Sequence, residues 1–234
     1  MWNAQWERAF GTAAKYVCLP VDRVAPLPDG TSFAEGACLG IPAMTAWYAL
    51  DGVEAGQSVL VTGGAGSVGR YACQMAAILG ARVITTVSSE AKAAHAGCET
   101  WINYRTTDVA EAVMEFTDGA GLDRVVDVDF AANQDIAVRC LKPGGTIATY
   151  ASASVMAPEL QFYPLMFRNV TLRMIIVYHL TGAVRARGTA EVNGWLADGK
   201  LSHAVVPGGT LSDIAAAHDM VAAGDKMGTV VLDI

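Results

Sequence analysis

The sequence predicts an α/β fold built on a doubly wound parallel sheet of six strands, and three observations carry that reading. β-rich runs alternate with helical ones from residue 58 onward. Several of these runs, such as "SVLV" and "TLRMIIV", are continuously apolar, as strands are when helices cover both faces of a parallel sheet. A glycine cluster separates the first strand from the first helix of the alternation in "SVLVTGGAGSVGRYACQM".

In chain order, residues 11–40 are short and loop-rich, with "LPVDRVAPLPDG" at their centre. Strands are expected over 58–62, 82–87, 101–103, 124–128, 146–150 and 170–177, with amphipathic or alanine-rich helices between them. The tail "HAVVPGGTLSDIAAAHDMVAAGDKMGTVVLDI" reads strand, helix, strand. The two ends thus read as two pieces of one second lobe: residues 1–42, then a sheet domain over 43–200, then a return over 201–234. No internal repeat or low-complexity tract is visible.

With 53% hydrophobic and 17% charged residues, the chain has ample material for a core, which argues against disorder. Its net charge of −7 and scattered basic residues offer nothing to a phosphate backbone or an anionic membrane, so nucleic acid is not an expected partner. The start "MWNAQWERAF" lacks the apolar core of a signal peptide, and no window has the length of a membrane span; a cytoplasmic location is expected. Cys18, Cys38, Cys73, Cys98 and Cys140 are odd in number, dispersed and without a C-x-x-C pair, as befits reduced thiols. The four histidines, His95, His179, His203 and His218, are not clustered and receive no catalytic role.

Gly64, Gly66 and Gly69 satisfy G-x-G-x-x-G between strand and helix. In a dinucleotide site the first glycine permits a tight turn, the second admits the pyrophosphate, and the third lets helix pack on strand. The helix N-terminus supplies N–H groups and partial positive charge. Where an NAD site places a carboxylate about twenty residues on, this chain has Ser88 and Ser89, 19 and 20 residues after Gly69, with Lys92 following. Hydroxyls and an ammonium suit a 2′-phosphate, so NADPH is the expected cofactor. The structural alternative is that a serine caps the helix carrying Lys92.

Taken together, "GTAAKYVCLP", "LPDGTSFAEGACLGIPAMTAWYAL", "SVLVTGGAGSVGRYACQMAAILGARV", "INYR", "FAAN", "LKPGGTIATYAS" and "AHDMVAAGDKMGTVVLDI" resemble the zinc-independent quinone oxidoreductases, the zeta-crystallin-like branch of the medium-chain dehydrogenase/reductase superfamily. The resemblance implies a Rossmann domain beside a GroES-like β-rich catalytic lobe, and hydride transfer from NADPH to a quinone or other conjugated carbonyl. It implies that Ala65, Gly66, Ser67 and Val68 contact the pyrophosphate, and that Ser88, Lys92 and Tyr104 surround the 2′-phosphate. It places Thr45, Asn133, Tyr150, Ala151, Ser152, Ile176, Val177 and Tyr178 near the nicotinamide. Read as structure alone, Thr45 and Asn133 are candidate helix caps and Tyr104 a packed aromatic.

Three departures from the family stand out. Ile41 occupies the position of a zinc-ligating cysteine in metal-dependent relatives, and no metal is expected. The chain also begins within what would be the catalytic lobe, so only a remnant of that lobe is expected, and Ala151 replaces a usual glycine. A short-chain dehydrogenase is excluded because none of Lys15, Lys92, Lys142, Lys200 and Lys226 has a tyrosine four places earlier. A methyltransferase would end its second strand in an acidic residue. A zeta-crystallin-type NADPH binder without turnover remains an alternative to the enzyme. The sixth strand, at the sheet edge and lacking proline or lysine, predicts a homodimer.

Overall fold

In the computed structural model, which describes residue 7 and residues 9–234, the apolar runs form one parallel sheet. Its strands are β1 (Ser58–Val61), β2 (Arg82–Val87), β3 (Thr100–Asn103), β4 (Leu122–Asp127), β5 (Leu141–Thr149) and β6 (Thr171–Met174). They lie in the order β3-β2-β1-β4-β5-β6, the doubly wound arrangement the alternation predicts. Five helices accompany them: α2 (Ser67–Ile78), α3 (Glu90–Ala96), α4 (Val109–Phe116), α5 (Phe130–Cys140) and α6 (Phe162–Phe167). A longer helix, α1 (Phe33–Leu50), precedes the sheet. Residues 1–6 and residue 8, which carry part of the expected lobe over 1–42 and most of the start read for a signal core, lie outside the described residues.

Strand register explains the core. Leu60 pairs with Ile84 on one side and Val125 on the other, Val125 with Ile147, and Ile147 with Leu172. This row of branched side chains on one face of the sheet meets Val109 and Val113 of α4 and Phe130 and Ala137 of α5. Leu60, Ile84, Val125 and Ile147 are buried, and burying such a side chain contributes about 1.5–3 kcal/mol each. Helix α2 packs on β1 and β2, and α3 on β2 and α2. The buried Arg124 donates to the carbonyls of Ala49, at 2.7 Å, and Asp51, which satisfies the end of α1. Burial lowers its guanidinium to about 10.

The sixth strand is shorter than the expected 170–177 and ends at Met174. Its partner β5 stops at Thr149, whose carbonyl takes the Ile175 N–H at 2.8 Å, while the next residue, Tyr150, sends its own N–H to Asp127 of β4. With no strand left to pair, the chain turns into a 3-10 helix at Val177–His179.

The chain divides into two compact units, and the one holding the sheet is Ala46–Ile175, whereas a boundary at residue 200 was expected from sequence. The other joins the residues up to Thr45 with Ile176–Ile234. Within it, α7 (Gly182–Ala197) carries the buried Arg185, which donates to the Asp22 carboxylate at 2.8 Å and to the carbonyls of Asp22 and Leu180. Asn193 donates to the Pro26 carbonyl. The chain's two ends are therefore tied by specific bonds. The tail forms β7 (Val205–Thr210), α8 (Ile214–Ala222) and β8 (Thr229–Asp233), and β7 and β8 pair in parallel. No helix among the described residues is long and apolar enough to cross a membrane.

Candidate functional site

The turn between β1 and α2 is held by two threonines of β2. The Thr86 hydroxyl accepts the Gly63 N–H, and its carbonyl accepts the Gly64 N–H, both at 3.1 Å. Thr85 donates its hydroxyl to the Val61 carbonyl at 2.7 Å and lies against Gly64, where a Cβ would collide with the Thr85 oxygen. The left-handed residue of the turn is Gly63, with φ of 69°, so the conformational role read for Gly64 belongs to its neighbour. Gly64 is required instead by its contact with β2. A Cβ on Gly69 would strike the backbone of Gly63 and Gly64, which fits close packing of the helix onto the turn.

Gly66 differs from both. Its φ of −77° suits any residue, and the one atom near a Cβ there is the Gly63 carbonyl oxygen at 3.3 Å. Apart from that oxygen, which sits closer than an ordinary contact, no protein atom lies within 4 Å of a Cβ there, so this side of Gly66 is otherwise open to a ligand. Gly66 is also the N-cap of α2, and no side chain caps that end. Ala65 is buried, while Ser67 and Val68 open the helix half-buried. The start of α2 thus offers a helix terminus with its partial positive charge beside an open glycine.

At the end of β2, Ser88 and Ser89 are half-buried. Ser89 caps α3, its oxygen accepting the Lys92 N–H at 3.3 Å, so the capping reading holds, and its hydroxyl proton is still available to a ligand. The Lys92 side chain is half-buried. Tyr104 follows β3, donates its backbone N–H to the Val87 carbonyl and leaves its ring half exposed. Ser88, Ser89, Lys92 and Tyr104 therefore gather at the carboxyl ends of β2 and β3, where open α/β sheets receive ligands.

The end of β4 carries a residue the sequence reading missed. Asp127 is buried, and its carboxylate accepts from Thr62 at 3.2 Å, Asn133 at 2.8 Å, the Asp129 N–H at 3.3 Å and Thr149 at 2.8 Å. Desolvation raises its pKa, and these four donors oppose the rise. Asn133 thus binds Asp127 rather than capping α5. The available signal was an acidic residue inside the otherwise apolar run "VVDV". Beyond β5, burial raises the Tyr150 phenol, with the Asp127 charge adding to it. The exposed Ala151 gives its carbonyl to the Phe130 N–H, and Ser152 donates to the Val155 carbonyl at 2.6 Å.

Thr45 is buried in the interior of α1, not at its cap. It belongs, with Ile176, Val177 and Tyr178, to the second compact unit. There Val177 is buried and Ile176 is exposed.

Residues 67–191 match the family described as zinc-binding dehydrogenase, and the chain belongs to that family, within which it groups with the quinone oxidoreductases of the medium-chain superfamily. It is 34% identical over 225 residues to 2-haloacrylate reductase of Burkholderia sp., covering 91% of this chain and 68% of that protein. It is 29% identical over 233 residues to a phenolphthiocerol/phthiocerol polyketide synthase of Mycobacterium tuberculosis, a match that covers 96% of this chain but only 11% of that one. Among solved structures, the quinone oxidoreductase of Escherichia coli complexed with NADPH superposes with a TM-score of 0.80 at 25% identity, over 91% of this chain and 69% of that one. The chain spans from a tenth to about two thirds of the relatives it matches. The family description names zinc, yet among the described residues no three His, Cys, Asp or Glu side chains gather into a metal-binding set. These residues do not fit a zinc centre.

Proposed function

We propose that this chain binds NADPH and serves hydride transfer to a quinone or another conjugated carbonyl. The observation that carries the reading is the open side of Gly66 at the uncapped start of α2. Support comes from the Escherichia coli quinone oxidoreductase complexed with NADPH and from the Burkholderia 2-haloacrylate reductase. In this reading the N–H groups opening α2 hold the pyrophosphate, and Ser88, Ser89, Lys92 and Tyr104 hold the 2′-phosphate by donating to it. Asn133, Tyr150, Ala151 and Ser152 stand toward the nicotinamide end. Bound NADPH supplies the hydride; the chain's residues orient it and exclude water. The roles of Thr45, Ile176, Val177 and Tyr178 rest on the family resemblance alone. The same reading pairs two copies through β6 into a homodimer.

NADPH oxidation with a small quinone, run beside a fluorescence titration of NADPH, tests the proposal. Saturable binding with quinone-dependent oxidation is expected. Binding without turnover would favour the non-catalytic reading, and absence of binding would remove both.

A further inference from the structure

Arg70 and Cys73 lie three residues apart on one face of α2. Arg70 donates from Nη1 to the carbonyl of His95 near the end of α3. One turn on, Cys73 lines the same cavity as Cys98, which follows α3 by two residues. Both cysteines are free and line one cavity of about 280 Å³, with Arg82, Glu99, Thr100 and Phe116. Cys73 is buried, and Cys98 is half-buried with its sulfur 3.3 Å from the Thr100 carbonyl oxygen.

We propose that Cys73 and Cys98 form an oxidisable dithiol that a small hydroperoxide, entering this cavity, closes to a disulfide. The Cys98 sulfur attacks as thiolate: an S–O bond forms, the O–O bond breaks, and the departing alkoxide or hydroxide takes a proton. The product is a sulfenic acid. The Cys73 sulfur then displaces the sulfenic oxygen, which leaves as water with the Cys73 proton, and two electrons have passed from the thiols to the hydroperoxide. The order of events follows from the electrostatics. Cys98 is the less buried sulfur and so meets the hydroperoxide first; the neighbouring Cys73 lowers its pKa, while Cys98 and burial raise that of Cys73. The cross-link would join α2, which carries the glycine turn, to the segment after α3, whose N-terminus holds Ser89 and Lys92.

The test is to treat the purified chain with hydrogen peroxide, count thiols after denaturation and map cross-linked peptides by mass spectrometry. The five thiols should fall to three, because two sulfurs join, and the joined peptides should contain Cys73 and Cys98. Cys73→Ser should instead leave Cys98 as a sulfenic acid that a dimedone probe traps. Cys98→Ser, the less buried change, should keep its remaining thiols under the same treatment. An unchanged count in the wild type, a link through Cys18 between two copies, or equal thiol loss in Cys98→Ser would overturn the proposal.

Discussion

The Thr149 hydroxyl donates to the buried Asp127 carboxylate at 2.8 Å, bridging the carboxyl ends of β5 and β4. Thr62 after β1 and Asn133 of α5 donate to the same group. Three strand ends and a helix are thus held in register by one side chain. Thr149→Val keeps the shape and deletes a donor to a desolvated charge, so a loss of about 1–3 kcal/mol is expected in urea unfolding. An unchanged midpoint would show that the bond contributes nothing.

Asp127 also makes a pH prediction. Its folded pKa is raised above 3.8, so the folded state holds the proton more tightly than the unfolded state. The stability this group contributes is fully present below the unfolded value and is lost as pH rises through the folded one. Wild type should therefore gain stability relative to Asp127→Asn as pH falls from neutrality toward 4. Parallel stability curves for the two proteins across that range would contradict the assignment.

The glycines separate folding from binding. Gly69→Ala places a Cβ against the Gly63 backbone and should lower the melting temperature. The Cβ of Gly66→Val meets one atom, the Gly63 oxygen at 3.3 Å, which has a few tenths of an ångström to give, and the variant needs no unusual φ, so the chain should stay folded. Its branched side chain fills the open space and should abolish NADPH binding in a fluorescence titration. Retained binding, with an unchanged circular dichroism spectrum, would mean that the open side of Gly66 serves no ligand.

The strand order was legible because parallel strands covered on both faces read as unbroken apolar runs, and the glycine motif was legible because three steric demands fall at fixed spacing. What escaped the sequence depends on partners remote in the chain. Thr85 and Thr86 read as ordinary strand residues until the parallel register sets β2 beside the turn. Asp127 acquires its role from donors on three other segments. The end of β6 is decided by where β5 stops, which periodicity within 170–177 does not report.

Lys92 makes no ion pair among the described residues and lies half-buried behind Ser89. A charge-assisted bond to a phosphate contributes about 1.5–3 kcal/mol, so Lys92→Ala should weaken NADPH by roughly tenfold or more. NADH lacks the 2′-phosphate, and its affinity should hardly change. Equal weakening of both, measured by parallel titrations, would remove Lys92 from the phosphate site.

Strand β6 lies at the sheet edge, and this decides how the proposed homodimer is tested. Ile175→Pro would place a proline at the end of this strand. The structure shows that the Ile175 N–H points inward to Thr149 at 2.8 Å, so that change would break the sheet itself. N–H groups alternate in direction along a strand, which turns the Met174 N–H outward. The Met174 side chain is 74% exposed, and α6 in the same unit exposes Phe162, Tyr163 and Phe167, an apolar surface suited to a second copy. Met174→Pro removes the outward donor and leaves the β5 pairing intact. Light scattering at micromolar concentration should give a dimer for wild type and a monomer for Met174→Pro, with matching circular dichroism. A monomeric wild type, or a variant that remains dimeric, would place the edge outside the interface.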